Sequence, residues 1–238
     1  MAIWFPLPFL LVTVTALIMV DERVRPGAGR NTRWVAVWKP LSTLLVIAVA
    51  GLAFAIPGTH DVSYALLILA GLLLSLTGDV LLIFPTSRAF MAGLVAFLCA
   101  HVAYIGAFIH LQTSRELGGN MPAELIAALI LAAVAAAVYR FLQPKLGKMR
   151  LPVIVYMAVI TVMVHRALAV AFVYPGQPPL PLLIVFGALL FYASDAFLAI
   201  NRFRYAGAMP RGHLLSLSTY YAGQLLLALS VTYATTLM

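Results

Sequence analysis

Residues 71–84 read GLLLSLTGDVLLIF, a long apolar run with one carboxylate, Asp79, set well inside it. On insertion scales a charged side chain at the centre of a bilayer helix costs about 2.5 kcal/mol or more, so an acid left there is a functional-site candidate. The arrangement recurs at residues 187–200, GALLFYASDAFLAI, around Asp195. In both runs a glycine stands eight residues before the acid, a small residue directly before it, and a leucine three residues after it. Two acids in matching helices are therefore the feature to be explained.

Composition sets the class. The 238 residues are 64% hydrophobic and only 9% charged, which excludes an ordinary soluble domain and indicates an integral membrane protein. A net charge of +8 would suit nucleic acid, but the charges fall in alternate loops, so no nucleic-acid partner is expected. Cys99 is the single cysteine, which excludes an intramolecular disulfide. The first apolar run lacks a basic leader and a small-residue cleavage site, and is expected to be a first span.

A span needs about 20 mainly apolar residues. Eight segments qualify, near 3–20, 39–56, 63–84, 89–110, 123–142, 151–173, 180–200 and 213–236. Breakers separate them, among them Pro26-Gly27, Pro57-Gly58, Pro85, Gly118-Gly119, Pro144, Pro175-Gly176, Pro178-Pro179, Gly207 and Pro210. The expectation is an all-α membrane protein: one domain over 1–238, a bundle of eight transmembrane helices. Thirteen of the fifteen Lys and Arg residues fall in alternate loops, and Arg115 stands opposite them. By the positive-inside rule both termini lie on the outer, non-cytoplasmic side. Spans 3 and 7 then run inward, and both acids lie roughly 7–8 Å from the cytoplasmic end. Their similarity hints at a four-helix repeat.

Other polar residues join these two acids. Gly93, Phe97, His101 and Tyr104 share one stripe of span 4, with His101 about 18 Å in, deeper than the acids. His213, Tyr220 and Gln224 share a face of span 8, with Tyr221 beside Gln224. Tyr156 in span 6 lies near the acid layer and Arg166 further out. Lys39 begins span 2, Ser194 precedes Asp195, and Asn201 and Arg202 follow at the mouth of span 7.

Each has two readings. Asp79 and Asp195 are either packing acids or an acid/base couple with unequal protonation states. Lys39 either snorkels or meets a phosphate or one of the acids. His101, Tyr220, Tyr221 and Gln224 serve either as interhelical bonds or as pocket lining. The rows Ala132/Ala136 and Ala96/Ala100 are expected to pack helices. Two Asp and one His could hold a metal, but an expected difference in depth of about 10 Å speaks against it. With no phosphate loop, GxSxG, HExxH or Cys/His cluster, no metal and no cofactor are expected.

Lys39-Pro40, Gly78-Asp79-Val80-Leu81-Leu82, Phe90-x2-Gly93, His101-x2-Tyr104, Ser194-Asp195-x2-Leu198-Ala199, Asn201-x-Phe203 and Tyr220-Tyr221-x2-Gln224 occur in that order. The ordered set resembles the YhhN-like lysoplasmalogenase family, with Arg202 where that family more often has Lys. The resemblance implies an eight-helix membrane hydrolase. It would cleave the sn-1 vinyl-ether bond of a lysoplasmalogen to a fatty aldehyde and glycerophosphoethanolamine or glycerophosphocholine, with Asp79 and Asp195 essential. The partners would be a lysophospholipid substrate and membrane lipids, without an obligate protein partner, in a bacterial inner (cell) membrane. A two-carboxylate route through an oxocarbenium ion suits that chemistry. Lys39 and Arg202 would meet the head-group phosphate. The alternative is a proton-coupled carrier of a lipid or small amphiphile.

Overall fold

The computed structural model describes residues 6–22, 32–53, 61–114, 119–173 and 179–234. Arg23, Arg25, Arg30 and Arg115, and the breakers Pro26-Gly27, Pro57-Gly58, Gly118, Pro175-Gly176 and Pro178, lie outside those residues. Eight α-helices make up the described fold: α1 Pro6–Glu22, α2 Thr32–Ala53, α3 Val62–Leu81, α4 Ser87–Thr113, α5 Met121–Leu146, α6 Arg150–Val173, α7 Leu180–Ala199 and α8 Gly212–Ser230. No strand occurs among the described residues. In hydrocarbon every backbone polar group needs an internal partner, and the α-helix supplies one within the segment.

Length and composition qualify six segments as membrane-crossing, and one of these holds both α5 and α6, joined by the short turn Gly147–Met149. The apolar part of α1, Pro6–Met19, is shorter. The chain is a multi-pass, all-α membrane protein.

Two helix pairs, α3 with α4 and α7 with α8, form close antiparallel hairpins. Along α3 and α4, Asp61 meets His110, Gly78 meets Phe97, and Leu82 meets Gly93. Along α7 and α8, Gly187 meets Leu227 and Ser194 meets Ser216. The glycines explain this closeness. A Cβ on Gly78 would stand 2.6 Å from the Phe97 ring, and one on Gly223 would stand 2.8 Å from the Gly187 carbonyl oxygen. Small residues let membrane helices approach where the hydrophobic effect gives little drive. α3 and α7 run unbroken through Gly71 and Gly187.

α8 packs on α1, α2, α3 and α7, while α6 bridges α4 and α7. α5 sits apart, against α6 and the end of α7. This corrects the packing role expected of Ala132 and Ala136: both are exposed on α5, whereas Ala96 and Ala100 are buried.

The acids need the ends of α3 and α7 to coincide, and they do. Beyond Ala199, α7 continues as a π-helical turn, Ile200–Arg204, closed by Tyr205 N–H donating to the Ile200 carbonyl at 3.3 Å. Such turns widen the helix by one residue and cluster at functional sites.

Candidate active site

Asp79 lies in the last turns of α3 with its side chain 1% exposed. Lys39 and Thr43 stand one helical turn apart on α2, so one face of α2 presents both. Lys39 Nζ lies 3.0 Å from Asp79 Oδ1. Thr43 Oγ1 donates to Asp79 Oδ2 at 2.6 Å. Tyr220, from α8, donates its hydroxyl to the same oxygen at 2.6 Å. A cation and two hydroxyl donors surround this carboxylate, which is what a buried charge requires. Lys39 is itself only 7% exposed, so its ammonium faces the acid rather than snorkelling. Tyr221 donates to the Lys39 carbonyl at 3.0 Å, fixing that turn of α2 from α8.

Asp195 has a different setting. Tyr156 of α6 donates its hydroxyl to Asp195 Oδ2 at 2.6 Å. His101 Nε2 stands 3.6 Å from that oxygen, beyond hydrogen-bond reach. Among the described residues Asp195 pairs with no Lys or Arg. Phe191, one turn earlier on α7, tilts against His101 with ring centroids 4.8 Å apart, and Tyr156 meets His101 edge-on at 5.3 Å. The surroundings of Asp195 are one phenol, one imidazole and an aromatic wall.

The proximity of His101 corrects the depth assigned from sequence, which set it about 10 Å from the acids. That reckoning counted backbone rise alone. α4 and α7 run in opposite directions, since Phe90 meets Phe203 while Tyr104 meets Phe191. Helical side chains tilt toward their own N-terminus, so His101 and Asp195 lean toward each other. Even so, no group of three or more His, Cys, Asp or Glu side chains that could hold a metal ion occurs among the described residues.

Both acids line one cavity of about 440 Å³. Lys39, Ser194, Asn201, Arg202, His213 and Tyr220 share its wall. Beside it runs a narrower apolar slot of about 70 Å³, bounded by Phe97, Leu142, Tyr156, Ile160 and Tyr192. Asp195 and Arg202 line both spaces; Asp79 lines only the larger. Asp195 thus stands where a polar chamber meets an apolar one.

The remaining sequence candidates divide. Arg202 spreads its guanidinium over the Phe90 ring at 3.5 Å, a cation–π contact at the cavity mouth. Asn201 accepts at Oδ1 from the Met209 N–H at 3.0 Å, and its carbonyl accepts from the Gly207 N–H at 2.8 Å. It ties down the α7–α8 loop, whose Gly207 has φ 87°. Ser194 donates to the Ser216 carbonyl at 2.9 Å. Tyr104 donates to Gln224 Oε1 at 2.8 Å, and both are fully buried. Tyr104, Tyr221 and Gln224 are absent from the residues lining the cavity; they tie α4 and α2 to α8.

Sequence reasoning passed over Thr43, although its spacing from Lys39 was a usable signal. It also left Arg166 unexplained. Arg166 lies 3.4 Å from Glu124 Oε2 and donates to Gln112 Oε1 at 3.3 Å, away from both aspartates.

Comparison with known proteins gives the family. The model of the YhhN family matches residues 34–231. "Lysoplasmalogenase TMEM86B" of Homo sapiens is 36% identical over 171 residues, 70% of this chain and 64% of the relative. "Lysoplasmalogenase TMEM86A" of Bos taurus is 34% identical over 165 residues, 68% of this chain and 64% of the relative. The chain thus spans just under two thirds of the length of these mammalian relatives. "Uncharacterized membrane protein YhhN" of Escherichia coli O157:H7 is 30% identical over 223 residues, 94% of this chain and 97% of the relative. No solved structure matches. Matched over most of its length, with both acids inside the matched region, this chain belongs to the YhhN family.

Proposed function

We propose that this protein is a membrane-embedded hydrolase that cleaves the sn-1 vinyl-ether bond of a lysoplasmalogen. The observation that carries the reading is the pair of aspartates on one cavity wall in unlike surroundings, with Asp195 at the border of a polar and an apolar space. A single-chain lipid has that same division, with the ether bond at its border. The names of the mammalian relatives point to the same substrate class.

In this reading Asp195 is the general acid. It gives its proton to the β-carbon of the vinyl ether, R–O–CH=CH–R′, and the α-carbon becomes an oxocarbenium ion. Asp79 remains a carboxylate, matched by Lys39, Thr43 and Tyr220. Its charge stabilises the cation and takes a proton from the attacking water. The hemiacetal then collapses: its hydroxyl proton passes to Asp195, the C–O bond breaks, and Asp79 gives its proton to the glycerol oxygen, so both acids return to their starting states. One water is consumed, and an alcohol and an aldehyde leave. The two-carboxylate logic follows glycoside hydrolysis. His101 and Tyr156 pack beside Asp195 and orient it; Arg202, on the cavity wall, attracts the head-group phosphate, while Lys39 stays paired with Asp79.

The same reading puts eight crossings in a bacterial inner membrane, with both termini outside and the acids toward the cytoplasmic leaflet. Purified protein incubated with lysoplasmenyl and matched lyso-acyl lipids tests it by mass spectrometry. Wild type is expected to release aldehyde from the vinyl ether alone. Asp79→Asn and Asp195→Asn are each expected to lower the rate by about 10²-fold or more. Wild-type aldehyde release from both variants would defeat the proposal, and liposome flux without product would favour a carrier.

A further inference from the structure

The apolar slot beside Asp195 shares part of its wall with a groove on the lipid-facing side of the bundle. On the outer surface of α4 and α6, toward the end that carries the acids, lies a groove of about 280 Å³. Its walls include Val95, Leu98, Leu151 and Val155, and it shares Leu94 and Tyr156 with the slot. Val95 is 51% exposed and Val155 45%, on the face a membrane would cover. Two side chains, Leu94 and Tyr156, line both slot and groove. Tyr156 is also the residue whose hydroxyl is bonded to Asp195.

We infer that the apolar chain of the substrate enters, and the aldehyde leaves, sideways through the bilayer between α4 and α6, past Leu94 and Tyr156. The inference rests on the hydrolase reading of the cavity. A chain drawn through the larger cavity would pass Lys39, Asp79, Ser194, Asn201 and Arg202, at a cost for apolar surface; the lateral route runs past Leu94, Val95, Leu98, Leu151 and Val155. The two products then part by chemistry. The aldehyde returns to the hydrocarbon through the groove, and the phosphorylated alcohol leaves past Arg202 and His213. Tyr156 is a positioning residue for Asp195 and half of the gate, so chain passage and the state of the acid are coupled.

The test uses the full chain in lipid nanodiscs with a lysophospholipid that carries a diazirine at mid-chain. After photolysis, labels are expected on residues 91–98 and 151–156. Labels confined to residues 213–220, on the wall of the larger cavity, would overturn the route. In parallel, Val95→Trp fills the groove without touching the slot. It is expected to raise KM for a long-chain vinyl ether about tenfold and to leave a short-chain analogue within about twofold of wild type. Equal losses for both chains would count against a lateral path. Groove labelling in a preparation that releases no aldehyde would support the route while defeating the hydrolase reading.

Discussion

Asp79 and Asp195 are alike in local sequence and unlike in company, and the difference comes from other helices. Asp79 gains a cation from α2 and hydroxyls from α2 and α8. Asp195 gains one phenol from α6 and an imidazole from α4. Removing one partner of a buried ion pair leaves an uncompensated charge, a loss of about 3–5 kcal/mol. Lys39→Met is therefore expected to lower the unfolding midpoint in detergent sharply. Adding Asp79→Asn should recover most of that stability, because both charges are then gone, while aldehyde release stays lost. A double variant no more stable than Lys39→Met would show that the orphaned Asp79 charge is not the cause of the loss. Tyr156→Phe deletes the hydroxyl donor of Asp195 and keeps the ring. It should cost about 1–3 kcal/mol of local stabilisation and slow aldehyde release, with the substrate's KM little changed.

At the scale of elements, small residues on α3 and α7 decide where the acids sit. Gly78 admits the Phe97 ring beside Asp79, and Gly187 with Gly223 brings α7 and α8 to backbone contact below Asp195. Gly223→Leu would force that pair apart. Overpacking of this kind costs about 1–3 kcal/mol, occasionally more, and it would move Tyr220 relative to Asp79. The expected outcome is a lower thermal midpoint together with a loss of activity; an unchanged midpoint would refute the close-packing argument. Asn201 has a separate task. It holds the loop after the π-helical turn through Met209 and Gly207. Asn201→Ala should loosen residues 205–211, read as faster amide exchange there, with little effect on α3 or α4.

At the scale of the molecule, charge and apolarity give the chain an orientation. Arg88, Lys145, Lys148, Arg150, Arg202, Arg204 and Arg211 flank the described turns at the end of the bundle that carries the acids. In the proposed topology the positive-inside rule places that end toward the cytoplasm. Single cysteines introduced at Ser87 and at Asn120, with Cys99 replaced, should react oppositely with an impermeant thiol reagent applied from outside. Position 120 should be labelled and position 87 protected; the reverse pattern would invert the topology. α5 is the peripheral member and closes the far wall of the slot with Val138 and Leu142. Its exposed Ala132 and Ala136 show that a small-residue row does not specify a buried face.

Apolar run length settled the helical membrane class from the sequence alone, because hydrocarbon leaves a spanning segment few ways to satisfy its backbone. The spacing of Gly, small residue, Asp and Leu in 71–84 and 187–200 marked both acids, since a carboxylate in such a run stands out by its cost. What tertiary structure alone decided was which side chains meet them. Lys39 faces Asp79 rather than the interface, and His101 reaches Asp195 because antiparallel helices tilt their side chains together. Tyr104 and Gln224 bond to each other and are buried away from the cavity. Rise per residue reports height along an axis, but rotation about that axis and the tilt between axes come only from packing.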